Sequence, residues 1–272
     1  MKKNNRPVPY WLSALLTASG YLSYFLSIAG FLGIIVPCMI FLGPFPVKRR
    51  FAQFTFRRYL FFLTRQLLPM LQVYSIAEIS GFSTTAAPSA LYVANHRGRL
   101  DALLLLALLS NTAVLIKSKY CRFPLYRAFV KYLDFVAVDS ATPNSLGAAR
   151  GRCKGLLADR KNILVFPEGA RATSGNLLPF KEFAFRLACE SRVPIVPVIV
   201  HSDFPFMANL PGSIFPKNKI RYTLRRLEAL YPCDGERPSD FAARVRRRMS
   251  EELKTLDRDT VWEWQGKRFV HD

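Results

Sequence analysis

Charge is missing from one long part of this 272-residue chain: between Tyr10 and Val47, 38 consecutive positions, there is no Asp, Glu, Lys or Arg. A segment of that kind is far longer than the roughly 20 apolar residues one membrane-spanning helix needs. Acidic residues are scarce throughout, 19 against 39 Lys and Arg, so the formal net charge is +20. Such a surplus attracts anions, whether nucleic acid, lipid headgroups or phosphorylated carriers. Standing beside a long apolar run it favours a membrane surface, and no nucleic-acid-binding motif accompanies it, so nucleic acid is not expected as a partner. No C-x-x-C pair occurs. Cys38, Cys121, Cys153, Cys189 and Cys233 are scattered and odd in number, which argues against a zinc site or disulfide framework. They read as free thiols in a reducing compartment, each a small buried apolar residue. Repeats and low-complexity tracts are absent as well. With half of its residues hydrophobic, the chain has material for a substantial core.

The apolar run is rich in Leu, Ile, Phe and Ala and is interrupted by Gly20, Gly30, Gly33 and Pro37. Lys2, Lys3 and Arg6 precede it; Lys48, Arg49, Arg50, Arg57 and Arg58 follow. Basic residues stay on the cytoplasmic side, so two basic flanks predict a helical hairpin over residues 1–50, crossing or dipping into the bilayer with both ends cytoplasmic. A single spanning helix is the alternative, and a buried helical pair a weaker one. No cleavage site of small residues follows at the expected distance, so the segment is not read as a removable signal. Residues 51–84 are expected to hold an interfacial helix and a linker: Phe51, Phe54, Phe56, Arg57, Arg58, Tyr59, Phe61, Phe62 and Arg65 alternate ring and cation, as in a helix lying along headgroups. An ordinary amphipathic helix on a domain would show the same pattern.

Residues 85–272 read as one α/β domain, a mixed, largely parallel sheet flanked by helices. Apolar runs at 89–94, 112–116, 135–138, 163–166 and 193–200 predict strands, alternating with helices over 100–109, 123–133, 145–159 and 180–190. Ser239 is placed to cap a last helix to about Leu256, with Phe241, Val245, Met249, Leu253 and Leu256 as its apolar stripe and Arg244, Arg246, Arg247 and Arg248 on its polar side. Trp262 and Trp264 suit either an interface or packing on the domain.

Two groups of residues carry chemistry. Asn95-His96-Arg97-Gly98-Arg99-Leu100-Asp101 follows the first domain strand and leads into a helix. A turn there can set the Asp101 carboxylate against one imidazole nitrogen of His96, leaving the other as a general base. That is half of a catalytic triad, with the nucleophile a substrate hydroxyl; a purely structural capping pair has the same sequence. Gly98 allows a tight turn. Phe166-Pro167-Glu168-Gly169-Ala170-Arg171 follows another strand. Arg171 can hold phosphate or a carbonyl oxygen, and Glu168 can accept from a hydroxyl or hold Arg171; a turn with a surface ion pair is the plain alternative. His201, at the end of strand 193–200, is a candidate for the cleft, and His271 lies at the terminus. No metal-ligand spacing is present.

Together the boxes resemble the glycerolipid acyltransferase family, whose best-known members acylate lysophosphatidic acid. Its His-x-x-x-x-Asp signature matches His96 to Asp101, and its Phe-Pro-Glu-Gly-x-Arg box matches residues 166–171. Pro194 and Pro197 in VPIVPVIV, Lys117 with Pro124, and Pro179-Phe180-Lys181 match weaker features, so the resemblance covers about residues 85–200. It implies an O-acyltransferase that moves a fatty acyl chain from acyl-CoA or acyl carrier protein to a lysolipid hydroxyl, with no cofactor and no metal. His96 and Asp101 would be catalytic; Arg97, Gly98, Arg99, Lys117, Glu168, Gly169, Arg171 and Lys181 would bind substrate. Turn amides near Gly98 or Gly169 are candidates for the oxyanion. Membrane lipids would be its partners and a membrane its location, the cytoplasmic face of the inner membrane in a bacterium. One box departs: where the family usually has Gly and then Asp-Arg, this chain has Asp134 and Asp139-Ser140. Lysophosphatidic acid is the expected acceptor; another lysolipid such as lyso-ornithine lipid, or lipid binding without catalysis, are the alternatives.

Overall fold

The computed structural model describes residues 9–70, 74–82, 89–139, 141–172, 176–204, 206, 220–257, 262–264 and 267–269. Lys2, Lys3, Arg6, Ser140 and His271 lie outside the described residues, and of Trp262 and Trp264 only the backbone is described.

The uncharged run forms one continuous helix, α1 (Tyr10–Phe41), which passes through Gly20, Gly30, Gly33 and Pro37 without a turn. Ser19 and Ser27 donate back along the helix to Leu16 O and Tyr24 O, both at 2.8 Å. Residues 14–41 are long and apolar enough to cross a membrane. A turn follows at Leu42, Gly43 and Pro44, where extended backbone and Pro44 and Pro46 stop one helix and start the next. Helix α2 (Phe45–Phe62) runs back along α1: Ser27 Oγ lies 2.9 Å from the Tyr59 hydroxyl, and the rings of Phe31 and Tyr59 stack at 4.3 Å. A hairpin therefore exists, but its bend lies at the end of the apolar run, and its second arm is the basic, aromatic segment expected at the interface. A π-helical turn (Leu63–Leu67) and the short α3 (Leu68–Met70) complete it.

The remaining elements are β1 (Tyr74–Ser80), β2 (Leu91–Ala94), α4 (Asp101–Leu108), β3 (Thr112–Lys117), a 3-10 turn (Ser118–Arg122), α5 (Pro124–Tyr132), β4 (Val136–Val138), α6 (Pro143–Ala158), β5 (Asn162–Val165), α7 (Phe183–Ser191), β6 (Ile195–Ser202), β7 (Ile220–Arg226), α8 (Pro238–Asp257), β8 (Trp262–Trp264) and β9 (Lys267–Phe269). Seven strands make one sheet in the order β1-β7-β6-β2-β5-β3-β4, parallel except between β6 and β7. This is the mixed, largely parallel sheet expected. The expected linker over 51–84 must be corrected, because it contains β1, which pairs with β7. Neither strand was anticipated. Ser239 sits inside α8, which opens at Pro238, so it is not the cap.

Alternation along the central strands builds two cores. Tyr92, Ala94, Val196, Val198 and Val200 face the side covered by α4 and α2, with Leu60, Leu104 and Leu105. Leu91, Val93, Ile195 and Ile199 face the other side, against α6, α7 and α8. The predicted stripe Phe241, Val245, Met249 and Leu253 is buried there, each side chain worth about 1.5–3 kcal/mol of burial. Of the five cysteines, all free, only Cys153 is fully buried, so the reading of each as a core residue holds at one position.

Asp134 stands where a glycine was expected, and the backbone explains the glycine: φ is +62°, a region most side chains avoid. Here the strain is offset by ion pairs. Arg49 of α2 and Lys161 both donate to its carboxylate, Gln53 Nε2 donates at 3.0 Å, and Arg152 lies 3.7 Å away. Burial alone would raise this carboxyl's pKa, but the bonds from Arg49 and Lys161 outweigh it and hold the group below its usual range. The substitution thus fastens the returning arm of the hairpin to the α/β domain.

Candidate active site

Strands β2 and β5 are parallel neighbours, Val93 beside Val165, so the loops after them emerge side by side although 70 positions separate them in sequence. This places the two boxes at the carboxyl edge of the sheet, where ligands of such sheets bind. The β3 end, with Lys117, is next along the same edge.

The first loop is held at each residue. Asn95 is fully buried and clamps β6, donating to Val200 O and accepting from Val200 N–H, both at 2.8 Å. The His96 Nδ1 lies 2.9 Å from Asp101 Oδ2. The same oxygen accepts the N–H groups of Arg97 at 2.7 Å and Gly98 at 2.8 Å, so one carboxylate both shapes the turn and orients the ring. Asp101 is buried while the His96 side chain keeps 22% of its surface open, and His96 lines the cleft. With Nδ1 against the carboxylate, Nε2 is the nitrogen left to act as a base. The Phe166 ring lies 4.4 Å from the imidazole. A Cβ on Gly98 would stand 2.6 Å from Phe206 O, so glycine is needed there for a close backbone approach.

The second loop frames the first. Glu168 Oε1 accepts the His96 N–H at 2.8 Å, its Oε2 accepts the Leu178 N–H at 2.8 Å, and the Ala172 N–H donates to His96 O at 2.8 Å. Glu168 is buried and absent from the cleft lining. Burial pushes its pKa up, against the opposing pull of the Leu178 and His96 amides. The expectation that it meets a substrate hydroxyl is corrected: both its oxygens are committed to holding the loops. Of the turn amides near Gly98 and Gly169, the glycines' own are already engaged: Gly98 N–H donates to Asp101 and Gly169 N–H to Phe166 O at 3.1 Å.

Arg97 also departs from expectation. It is buried and turned away from the cleft, donating through Nη1 and Nη2 to Asp257 at 3.2 and 2.9 Å. His201, likewise buried, lies 3.0 Å from the same carboxylate and does not line the cleft. Burial would raise the pKa of Asp257, but His201 and Arg97 overcome it and bring the group to about 2. No sequence motif marked Asp257; its partner is 160 positions away.

Arg99, Lys117, Gly169, Arg171 and Lys181 do border the cleft, a cavity of about 1510 Å³. The φ of Gly169 is +66°, and a Cβ there would meet the Lys181 side chain at 2.9 Å. Lys117 is depressed by burial and by Lys119 and Lys181, Arg171 by burial and by Arg99; cations crowded this way favour an anion between them. The same cleft is lined by Leu103 and Leu106 of α4, Phe129 of α5, Phe56 of α2, and Tyr21, Tyr24 and Phe25 of α1. The N-terminal helix is therefore part of the cleft. Sequence reading missed this, because α1 carries no polar motif and reaches the site only by packing.

The site thus joins a buried carboxylate, an accessible imidazole, a group of cations and a largely apolar extension in one cleft. Residues 77–201 match the family described as Acyltransferase. The chain is similar to human 1-acyl-sn-glycerol-3-phosphate acyltransferase beta, 32% identical over 157 residues, 56% of this chain and 54% of that protein. It is also similar to the coconut 1-acyl-sn-glycerol-3-phosphate acyltransferase, 28% identical over 125 residues, 45% of this chain and 40% of the other. The chain spans about half the length of the curated relatives it matches. Its fold matches the crystal structure of the 1-acyl-sn-glycerophosphate acyltransferase of Thermotoga maritima, with a TM-score of 0.71 over 92% of this chain and 97% of that one at 19% identity.

Proposed function

We propose that this protein is a membrane-bound O-acyltransferase that moves a fatty acyl chain from acyl-CoA or acyl carrier protein to the hydroxyl of lysophosphatidic acid. The observation that carries the proposal is the 2.9 Å contact of His96 Nδ1 with buried Asp101, placed at the junction of a cationic rim and an apolar cleft. The acceptor's phosphate meets Arg99, Lys117, Arg171 and Lys181, and an acyl chain lies along the apolar wall. The names of the similar proteins favour lysophosphatidic acid over other lysolipids.

In the reaction, His96 Nε2 takes the proton as the acceptor oxygen attacks the thioester carbonyl. The carbon–sulfur bond then breaks, and the imidazolium returns the proton to the departing thiolate. Asp101 orients the ring and stabilises its charged form. General-base assistance of this kind is worth about 100- to 10,000-fold in rate. Helix α1, seated in the bilayer, holds the cleft beside a pool of lipid acceptor, which replaces a bulk search by a local one.

The test incubates purified protein with acyl-CoA and a panel of lysolipids, following thiol release and lipid product. Wild type should acylate lysophosphatidic acid, and His96→Ala should lose transfer while remaining folded and membrane-associated. Near wild-type turnover in His96→Ala would refute the assignment.

A further inference from the structure

Among the described residues from 74 to 257, the large hydrophobic side chains left exposed are Tyr120, Phe123, Leu125 and Tyr231. Three of the four fall within six positions, on the 3-10 turn and the start of α5. Exposed apolar groups scattered singly are ordinary, but a cluster marks a surface with an occupant. No residue of α5 is fully buried. Its inner side leans on the hairpin, with Phe129 5.3 Å from Phe56 and Tyr132 5.7 Å from Phe45, ring to ring.

The surroundings of this cluster indicate what covers it. From Ala102 to Leu133 there is no Asp or Glu, while Lys117, Lys119, Arg122, Arg127 and Lys131 all fall in that stretch. Arg122 lies 4.8 Å from the Phe123 ring, Lys119 5.7 Å from that of Tyr120 and Lys131 5.3 Å from that of Tyr132. Rings with cations beside them suit the boundary between acyl chains and phosphates. The cluster is also continuous with the hairpin across the cleft: Tyr21, Tyr24 and Phe25 of α1 line one side, and Lys119, Tyr120, Phe123 and Tyr126 line another.

We propose that residues 118–132 form a second membrane contact, a lip that seats Phe123 and Leu125 in the headgroup region of an anionic bilayer beside the mouth of the cleft. This rests on the membrane placement of α1 argued above. With α1 and the lip both on the bilayer, a lysolipid passes from the leaflet into the cleft without crossing water.

Full-length Phe123→Trp is compared with wild type, whose tryptophans are Trp11, Trp262 and Trp264, on vesicles of phosphatidylcholine and phosphatidylglycerol carrying brominated acyl chains. The added tryptophan should be quenched, and less so in phosphatidylcholine alone or at high salt. Quenching of the wild-type tryptophans without quenching of the added one overturns the lip and leaves the α1 placement standing. Absence of quenching in both proteins overturns both. Leu125→Glu supplies a functional arm. A carboxylate in the first turn of a helix is favoured, so folding should hold. Its apparent KM for vesicle-borne lysolipid should rise about tenfold, with kcat and the KM for a dispersed short-chain lysolipid unchanged. Equal KM values on vesicles overturn the proposal.

Discussion

Replacing Asp257 by Ala should destabilise the protein by about 3–5 kcal/mol, because it removes from the buried guanidinium of Arg97 the carboxylate that takes two of its hydrogen bonds. The side chains of Arg97, Asp257 and His201 are 5%, 4% and 7% exposed, so solvent does little to screen the loss. The acid side gives a second, smaller figure. The Asp257 carboxyl is held at about 2, against 3.8 ordinarily, and at 1.36 kcal/mol per unit this is about 2 kcal/mol of preference for the charged form. Its folded pKa is depressed, so the contribution is present above about pH 4 and is lost as pH falls through about 2. The larger figure includes the loss of the bonds that the buried cation makes to this carboxylate. The double variant Arg97→Met/Asp257→Leu removes both charges and should recover most of the loss. Urea unfolding in detergent, followed by circular dichroism at neutral pH and at pH 3, measures all three proteins. A single-variant loss under about 1 kcal/mol, or a double variant no better than the single one, would refute a tightly paired buried cluster.

Two further predictions concern the catalytic turn. Asp101→Asn keeps an oxygen for the turn amides but removes the charge that stabilises the imidazolium, so kcat should fall about 100- to 10,000-fold with a smaller change in KM; steady-state kinetics check this, and a loss under tenfold contradicts it. Gly98→Ala places a methyl 2.6 Å from Phe206 O, forcing the turn and the 206 backbone apart. Activity should drop at least tenfold and stability by about 1–3 kcal/mol, measured by thiol release and urea unfolding; an unchanged protein would show that the approach is not tight.

Much of the site was legible because it is local. His96 and Asp101 are five positions apart in one strand-to-helix turn, so their meeting needs little beyond the turn. The α8 stripe was legible for the same reason: helical spacing fixes which side chains share a face. Strand β7 could have been found, since Ile220, Tyr222 and Leu224 alternate with polar residues. Strand β1 gave less signal: it lies at the sheet edge, and its Glu78 answers Arg225 of β7 with oxygens at 2.9 and 2.8 Å, a pairing visible only once the strands are side by side. The bend lies elsewhere than expected because Gly20, Gly30, Gly33 and Pro37, residues that often break helices, stand inside an unbroken α1.

By itself the sequence determined the uncharged apolar segment, the α/β alternation, the cationic surplus and the histidine–carboxylate pair, all set by neighbours within a few residues. Only the tertiary structure decided the roles of Arg97 and Glu168. Both belong to the boxes by position, yet Arg97 is drawn inward by Asp257 and Glu168 is spent on the His96 and Leu178 amides. It also decided that α1 walls the cleft. The physical reason is common to all three: a buried charge or an apolar face goes to whichever partner the packing brings near, and parallel pairing of β2 with β5 and the return of α8 bring together groups far apart along the chain.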